Sequence, residues 1–113
     1  MIYEMKLNKE PFEMIESGRK TIEMRLDYES RKNIKIGDEI IFESRENGKK
    51  LKSRVINLYR FKSFKDLYEN LPLLKCGYTK ENIDTASYRD MEKYYSIEKQ
   101  KLYGVVGIEI ELI

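Results

Sequence analysis

Alternation of apolar and polar residues opens the chain and predicts a first strand over Ile2 to Leu7. Asn8, Lys9 and Glu10 lead into Pro11, a favoured first helical position, so a short helix follows with Phe12, Met14 and Ile15 on its apolar side and Gly18 at its end. From Lys20 to Leu26 the pattern alternates again. It places Thr21, Glu23 and Arg25 on one face of a second strand and Ile22, Met24 and Leu26 on the other. The polar segment Asp27 to Lys32 reads as a loop, and Asn33 to Asp38 as a turn feeding a third strand over Glu39 to Ser44. Asn47-Gly48 is a hairpin signal, because both residues tolerate the positive φ of tight primed turns. The fourth strand, Lys50 to Phe61, changes its apolar parity partway, which predicts a bulge or bend of the kind found in a small barrel.

Ser63 with Asp66 resembles a capping box and predicts a helix over Phe64 to Leu71 that stops at Pro72. Thr79 and Thr85 are candidate caps for one or two helical pieces reaching Tyr95, and Ser96 is a candidate start for another turn. Tyr103 to Leu112 reads as the closing strand, with Val106, Ile108, Ile110 and Leu112 on one face, Glu109 and Glu111 on the other, and Gly107 leaving room for a close neighbour. Strands outnumber helices, and no linker or repeat divides the chain. The expectation is one α+β domain over residues 1–113: a small, mostly antiparallel β-barrel flanked by short helices.

Composition narrows the functions this domain can serve. With 113 residues, 41% of them hydrophobic, there is material for one modest core. Twenty-two Lys and Arg against 20 Asp and Glu leave a formal charge of +2, so long double-stranded DNA is not an expected partner and any nucleic-acid role is local. No apolar run reaches membrane-spanning length and the first residues lack signal-peptide character, which predicts a cytoplasmic protein without a membrane partner. The single Cys76 and the absence of His exclude an internal disulfide and a Cys/His zinc site; carboxylates leave a magnesium or calcium site open, but there is no EF-hand loop, and no cofactor or metal is expected. Missing His also removes Ser-His and Cys-His nucleophiles, leaving carboxylates, Lys, Tyr and Thr as the available catalysts.

The polar face of the second strand is the candidate site. Lys20 and Arg25 are placed to donate to a phosphate or carbonyl, and Glu23 to accept from a base or ribose hydroxyl, with Thr21 on the same face. A structural ion pair between Glu23 and Arg25 is the competing account. Lys20 has the wrong parity for that face and reaches it only if the strand starts, or bulges, just before Thr21. Lys49, Lys50, Lys52 and Arg54 form either a basic patch or the solvated edge of a strand.

Pro11-Phe12 to Gly18, then Arg19-Lys20-Thr21-Ile22-Glu23-Met24-Arg25, then Ile36-Gly37-Asp38, and finally Tyr95-Ser96 ahead of Tyr103-Gly104-Val105-Val106 resemble the ASCH domains of the PUA-like superfamily, in order and over essentially the whole chain. That resemblance implies a β-barrel with a cleft beside the G-x-K-x-x-E-x-R segment and a role in RNA binding or RNA-linked metabolism, with RNA or a nucleoside or nucleotide as partner. It adds Tyr95 and Tyr103 to the candidate ligand-binding residues Lys20, Thr21, Glu23 and Arg25. One similar branch hydrolyses acetylcytidine with a Lys, a Thr and a Glu, and some members are linked to RNA cleavage. The branch's Lys falls on Lys20 and its Thr on Glu23, making Lys20 and Glu23 the catalytic candidates if the protein is an enzyme; its Glu falls in the region of Asp84, Asp90 and Glu92. Glu23 close to Lys20 holds the ammonium form and favours binding over Lys-based chemistry. A metal-independent hydrolase acting on a modified nucleoside is the alternative, and an interaction module built on exposed Tyr and Leu a third.

Overall fold

The computed structural model describes residues 1–113. Its elements run β1 (Ile2–Leu7), α1 (Lys9–Glu16), β2 (Ile22–Leu26), α2 (Glu29–Lys32), β3 (Glu39–Ser44), β4 (Lys50–Phe61), α3 (Phe64–Asn70), α4 (Ile97–Tyr103) and β5 (Val105–Leu112), with 3₁₀ turns at Leu73–Lys75, Ile83–Thr85 and Tyr88–Lys93. One mixed sheet of order β1-β3-β4-β5-β2 curls into a half-barrel, leaving β1 and β2 as its two edges. β1 pairs with β3 in parallel and the other three pairings are antiparallel, which matches the expected α+β, mostly antiparallel architecture.

The parity change in β4 corresponds to a register shift between Val55 and Asn57 opposite β5. This bulge lets β4 bury Val55 on one side and carry Tyr59 and Phe61 toward the helices on the other. Met5, Phe12, Ile15, Phe42, Ile108 and their neighbours fill one face of the curled sheet. Ile22, Met24 and Leu26 lie on the other, under Phe64 and Leu67 of α3. Gly107 is the close-approach site expected of it: a Cβ there would lie 2.7 Å from Leu71 Cδ1.

Several expectations need correction. β2 begins at Ile22, so Lys20 and Thr21 precede the strand, and Thr21 bonds through its backbone to Lys75 and Ile110. Asp27 to Lys32 is not wholly loop: Glu29–Lys32 forms a helical turn with no buried residue. Tertiary bonds hold it, Arg31 Nη1 donating to the Leu26 carbonyl at 3.0 Å and Lys32 Nζ to the Tyr103 carbonyl at 3.0 Å, and periodicity does not register bonds of that kind. Tyr103 ends α4 instead of opening β5, because Ser96 caps that helix by accepting from the Lys99 amide. Neither Thr79 nor Thr85 is a helix cap. Ser87 fills that role, forming a reciprocal capping box with Asp90.

Candidate functional site

The open side of the half-barrel lies between edge strands β1 and β2. In β2, Glu23 pairs with Ile108 and Arg25 with Val106, so both side chains lie on the face that carries Val106 and Ile108 into the core. The polar face of this strand is therefore turned inward. Glu23 is only 4% exposed. Its Oε1 lies 2.8 Å from Lys20 Nζ and its Oε2 accepts from Arg25 Nε at 2.9 Å. Arg25 Nη2 also donates to the Lys6 carbonyl of β1 at 3.0 Å, tying the two sheet edges together through a side chain. Burial acts to raise the Glu23 pKa, but the attraction and hydrogen bonds of Lys20 and Arg25 outweigh it and hold the carboxyl below its ordinary value of 4.5. The group is an ionised carboxylate flanked by two cations, with a net charge of +1.

A cavity of about 350 Å³ opens onto this cluster. Its lining carries four cationic side chains, Lys6, Lys20, Arg25 and Arg45, against the two carboxylates Glu10 and Glu23. The excess favours an anionic ligand. Arg25 Nη1 and the remaining hydrogens of the Lys20 ammonium have no acceptor in the protein. The Tyr94 ring, 70% exposed, stands at the rim. Tyr95 lines the wall while its ring stacks on Phe64 with centroids 5.6 Å apart.

The start of β2 at Ile22 is what lets Lys20 reach this cluster. Gly77, at φ +113°, lies alongside the Lys20 stem: a Cβ there would meet Lys20 Cδ at 3.4 Å, an ordinary contact distance. Of the residues singled out from sequence, Lys20, Glu23, Arg25 and Tyr95 meet at one cavity. Thr21 and Tyr103 do not line it. The Tyr103 ring packs edge-on against Tyr28 with centroids 4.7 Å apart, and neither ring lines the cavity. Asp84 and Glu92 are exposed, whereas Asp90 lines an adjoining cavity that shares Lys20 with the first. The Lys49–Arg54 patch is partly neutralised, with Lys49 paired to Glu16 and Lys52 3.3 Å from Glu39. Cys76 is buried and its thiol is pushed up to about 11, chiefly by desolvation, so it is protonated at neutral pH. Arg45 carries no signal in the sequence, and Tyr94 is one of several tyrosines there that could stack on a base, with Tyr95 and Tyr103 preferred; only the folded chain brings Arg45 and Tyr94 to β2.

The ASCH domain family model matches residues 5–113. Among solved structures, the crystal structure of hypothetical protein PH0355 has a TM-score of 0.82 and 39% identity, covering 100% of both chains. A Pyrococcus furiosus protein solved by solution NMR has a TM-score of 0.73 and 38% identity, covering 100% of this chain and 98% of that one. An ASCH domain from Lactobacillus crispatus, with a TM-score of 0.67 and 11% identity over 98% of this chain and 79% of that one, is similar in fold. A search of the curated proteins finds no match.

Proposed function

Because the chain belongs to the ASCH domain family, we propose that the cleft between β1 and β2 binds RNA or a nucleotide-like ligand through its phosphate. The observation that carries this reading is the Lys20 ammonium. It is buried and anchored to Glu23 at 2.8 Å, yet lines a cavity whose cations outnumber its carboxylates four to two. Lys20 and Arg25 arrive pre-oriented by the carboxylate between them, so little side-chain freedom is lost when an anion docks. Arg45 adds charge at the mouth, and Tyr94 offers a ring face for a base.

The competing reading is a metal-independent amidohydrolase acting on a modified nucleoside, or an RNA-cleaving enzyme, with Lys20 as base or nucleophile. It needs a neutral amine. Glu23 is held ionised 2.8 Å from that nitrogen, and with both its oxygens engaged it is poorly placed to accept a further proton. Binding is the better-supported use of the site.

Ligand-observed NMR against nucleosides including acetylcytidine, nucleotides and short single-stranded RNA tests the proposal, on the native protein and on Arg45→Ala and Tyr94→Ala. Both side chains are exposed at the rim and outside the Glu23 network, so the fold is expected to persist. Nucleotide and RNA affinity should fall several-fold in Arg45→Ala, whereas uncharged nucleosides should respond to Tyr94→Ala alone. Unaltered affinity in both variants would refute the site. New acetate and cytidine signals would move the protein to the hydrolases.

A further inference from the structure

Beyond Lys20 the cleft continues into a second cavity of about 300 Å³. That volume lies at the small end of ligand sites and suits one planar ring system. Its walls include Met14, Met24 and Met91, which come from α1, β2 and the 88–93 turn and present flexible thioethers to whatever lies between them. One side is a chain of hydroxyls ending in a carboxylate. The Tyr68 and Tyr78 hydroxyls are 2.6 Å apart, and Tyr78 donates to Asp90 Oδ2 at 2.7 Å. Because the Tyr78 proton goes to Asp90, the proton shared by the two tyrosines is donated by Tyr68. The Ser87 amide gives a second bond to the same Oδ2 at 3.2 Å. Asp90 is thereby held by one oxygen, and Oδ1 is left as an acceptor without a partner in the protein, on a residue that lines the cavity.

We infer that this second cavity is a base pocket that selects heterocycles bearing an exocyclic amino group, with Asp90 Oδ1 accepting the amino hydrogen. The inference rests on the nucleotide-binding reading of the first cavity and adds to it the identity of the base. Lys20 lines both cavities, so a phosphate held beside it leaves the attached nucleoside within reach of Asp90. Cytosine and adenine present N–H donors at the position where uracil and hypoxanthine present a carbonyl oxygen. A carboxylate oxygen accepts from the first pair and repels the second. Discrimination therefore follows from hydrogen-bond direction and does not depend on ring size. The relay that aims the carboxylate spans three segments, Tyr68 in α3, Tyr78 in the following loop and Asp90 in the 88–93 turn, and its members lie too far apart in sequence to read as a motif.

The test compares matched ligands by isothermal titration: cytidine against uridine monophosphate, adenosine against inosine monophosphate, and ribose 5-phosphate as the base-free control. The native protein should prefer each amino-bearing member by about tenfold. Asp90→Asn keeps an oxygen for Tyr78 and Ser87 and places a donor where Oδ1 stood, so the order should reverse while ribose 5-phosphate binding stays unchanged. Equal affinity within the pairs for the native protein, which needs no variant to observe, overturns the inference and leaves the phosphate site standing. A preference that survives Asp90→Asn also overturns it. Failure of all five compounds to bind refutes both readings.

Discussion

Replacing Glu23 by Gln preserves the shape of the side chain and removes the one charge that reconciles Lys20 with Arg25. All three groups are largely out of water, with side-chain exposures of 4% for Glu23, 9% for Lys20 and 13% for Arg25. At separations of 2.8 and 2.9 Å and an effective dielectric of about 20, each pair carries roughly 6 kcal/mol of Coulomb attraction. Desolvating the ions offsets most of it, at several kcal/mol apiece. In the variant that desolvation remains and the attraction does not, since the Gln amide offers one acceptor oxygen for two cationic donors. The expected loss is about 3 to 5 kcal/mol, as for other buried pairs deprived of a partner. At about 4 °C per kcal/mol for a domain of this size, the melting temperature should fall by roughly 12 to 20 °C. The assay is thermal unfolding by circular dichroism at neutral pH, repeated down the acid limb. Because the Glu23 carboxyl is held below 4.5 in the folded state, its contribution is complete above the unfolded value and drains away as pH falls through 4.5 toward the folded one. The native protein should lose stability over that range more steeply than Glu23→Gln. A variant melting within about 4 °C of the native protein, or sharing its acid slope, would show that water screens the cluster and that the cleft floor is not built as described.

Gly77→Ala forces a side chain onto a backbone at φ +113°, which L residues rarely adopt, so a cost of about 1 to 3 kcal/mol in urea denaturation is expected although the Cβ itself finds room beside Lys20. An unmoved midpoint would contradict the positive φ at Gly77. Leu67→Ala empties a fully buried position between α3 and the sheet and should cost about 2 to 5 kcal/mol by the same method; a loss below about 1 kcal/mol would mean that α3 does not pack there as described.

Much of the fold was legible because strand alternation is a local signal. Ile40 and Phe42 are buried on one side of β3, and the parity change in β4 marks a real bulge. Ser63 caps α3 as its spacing with Asp66 suggests, through a bond from the Asp66 amide at 3.3 Å. The stretch between Tyr78 and Tyr95 was harder. It has little apolar periodicity and is held by side-chain bonds such as Tyr78 to Asp90, so its cap falls at Ser87 and not at Thr79 or Thr85. Tyr103 misled for a related reason: a β-prone aromatic ahead of Gly104 reads as strand, yet the Ser96 cap upstream commits it to α4.

By itself the sequence determined the family, the α+β class and the gathering of Lys20, Glu23 and Arg25 in one segment. The first two rest on short local patterns recurring in order along the chain, and the third on residues within a few positions of one another, where backbone geometry already restricts what the side chains can do. Only the tertiary structure decided that the charged face of β2 looks inward, that Arg25 reaches across to β1, and that Arg45, Tyr94 and Asp90 share the cleft with Lys20. These are contacts between segments tens of residues apart. Their formation depends on how the whole sheet curls and where its edges come to rest, and no local pattern of hydrophobic and polar positions encodes that arrangement.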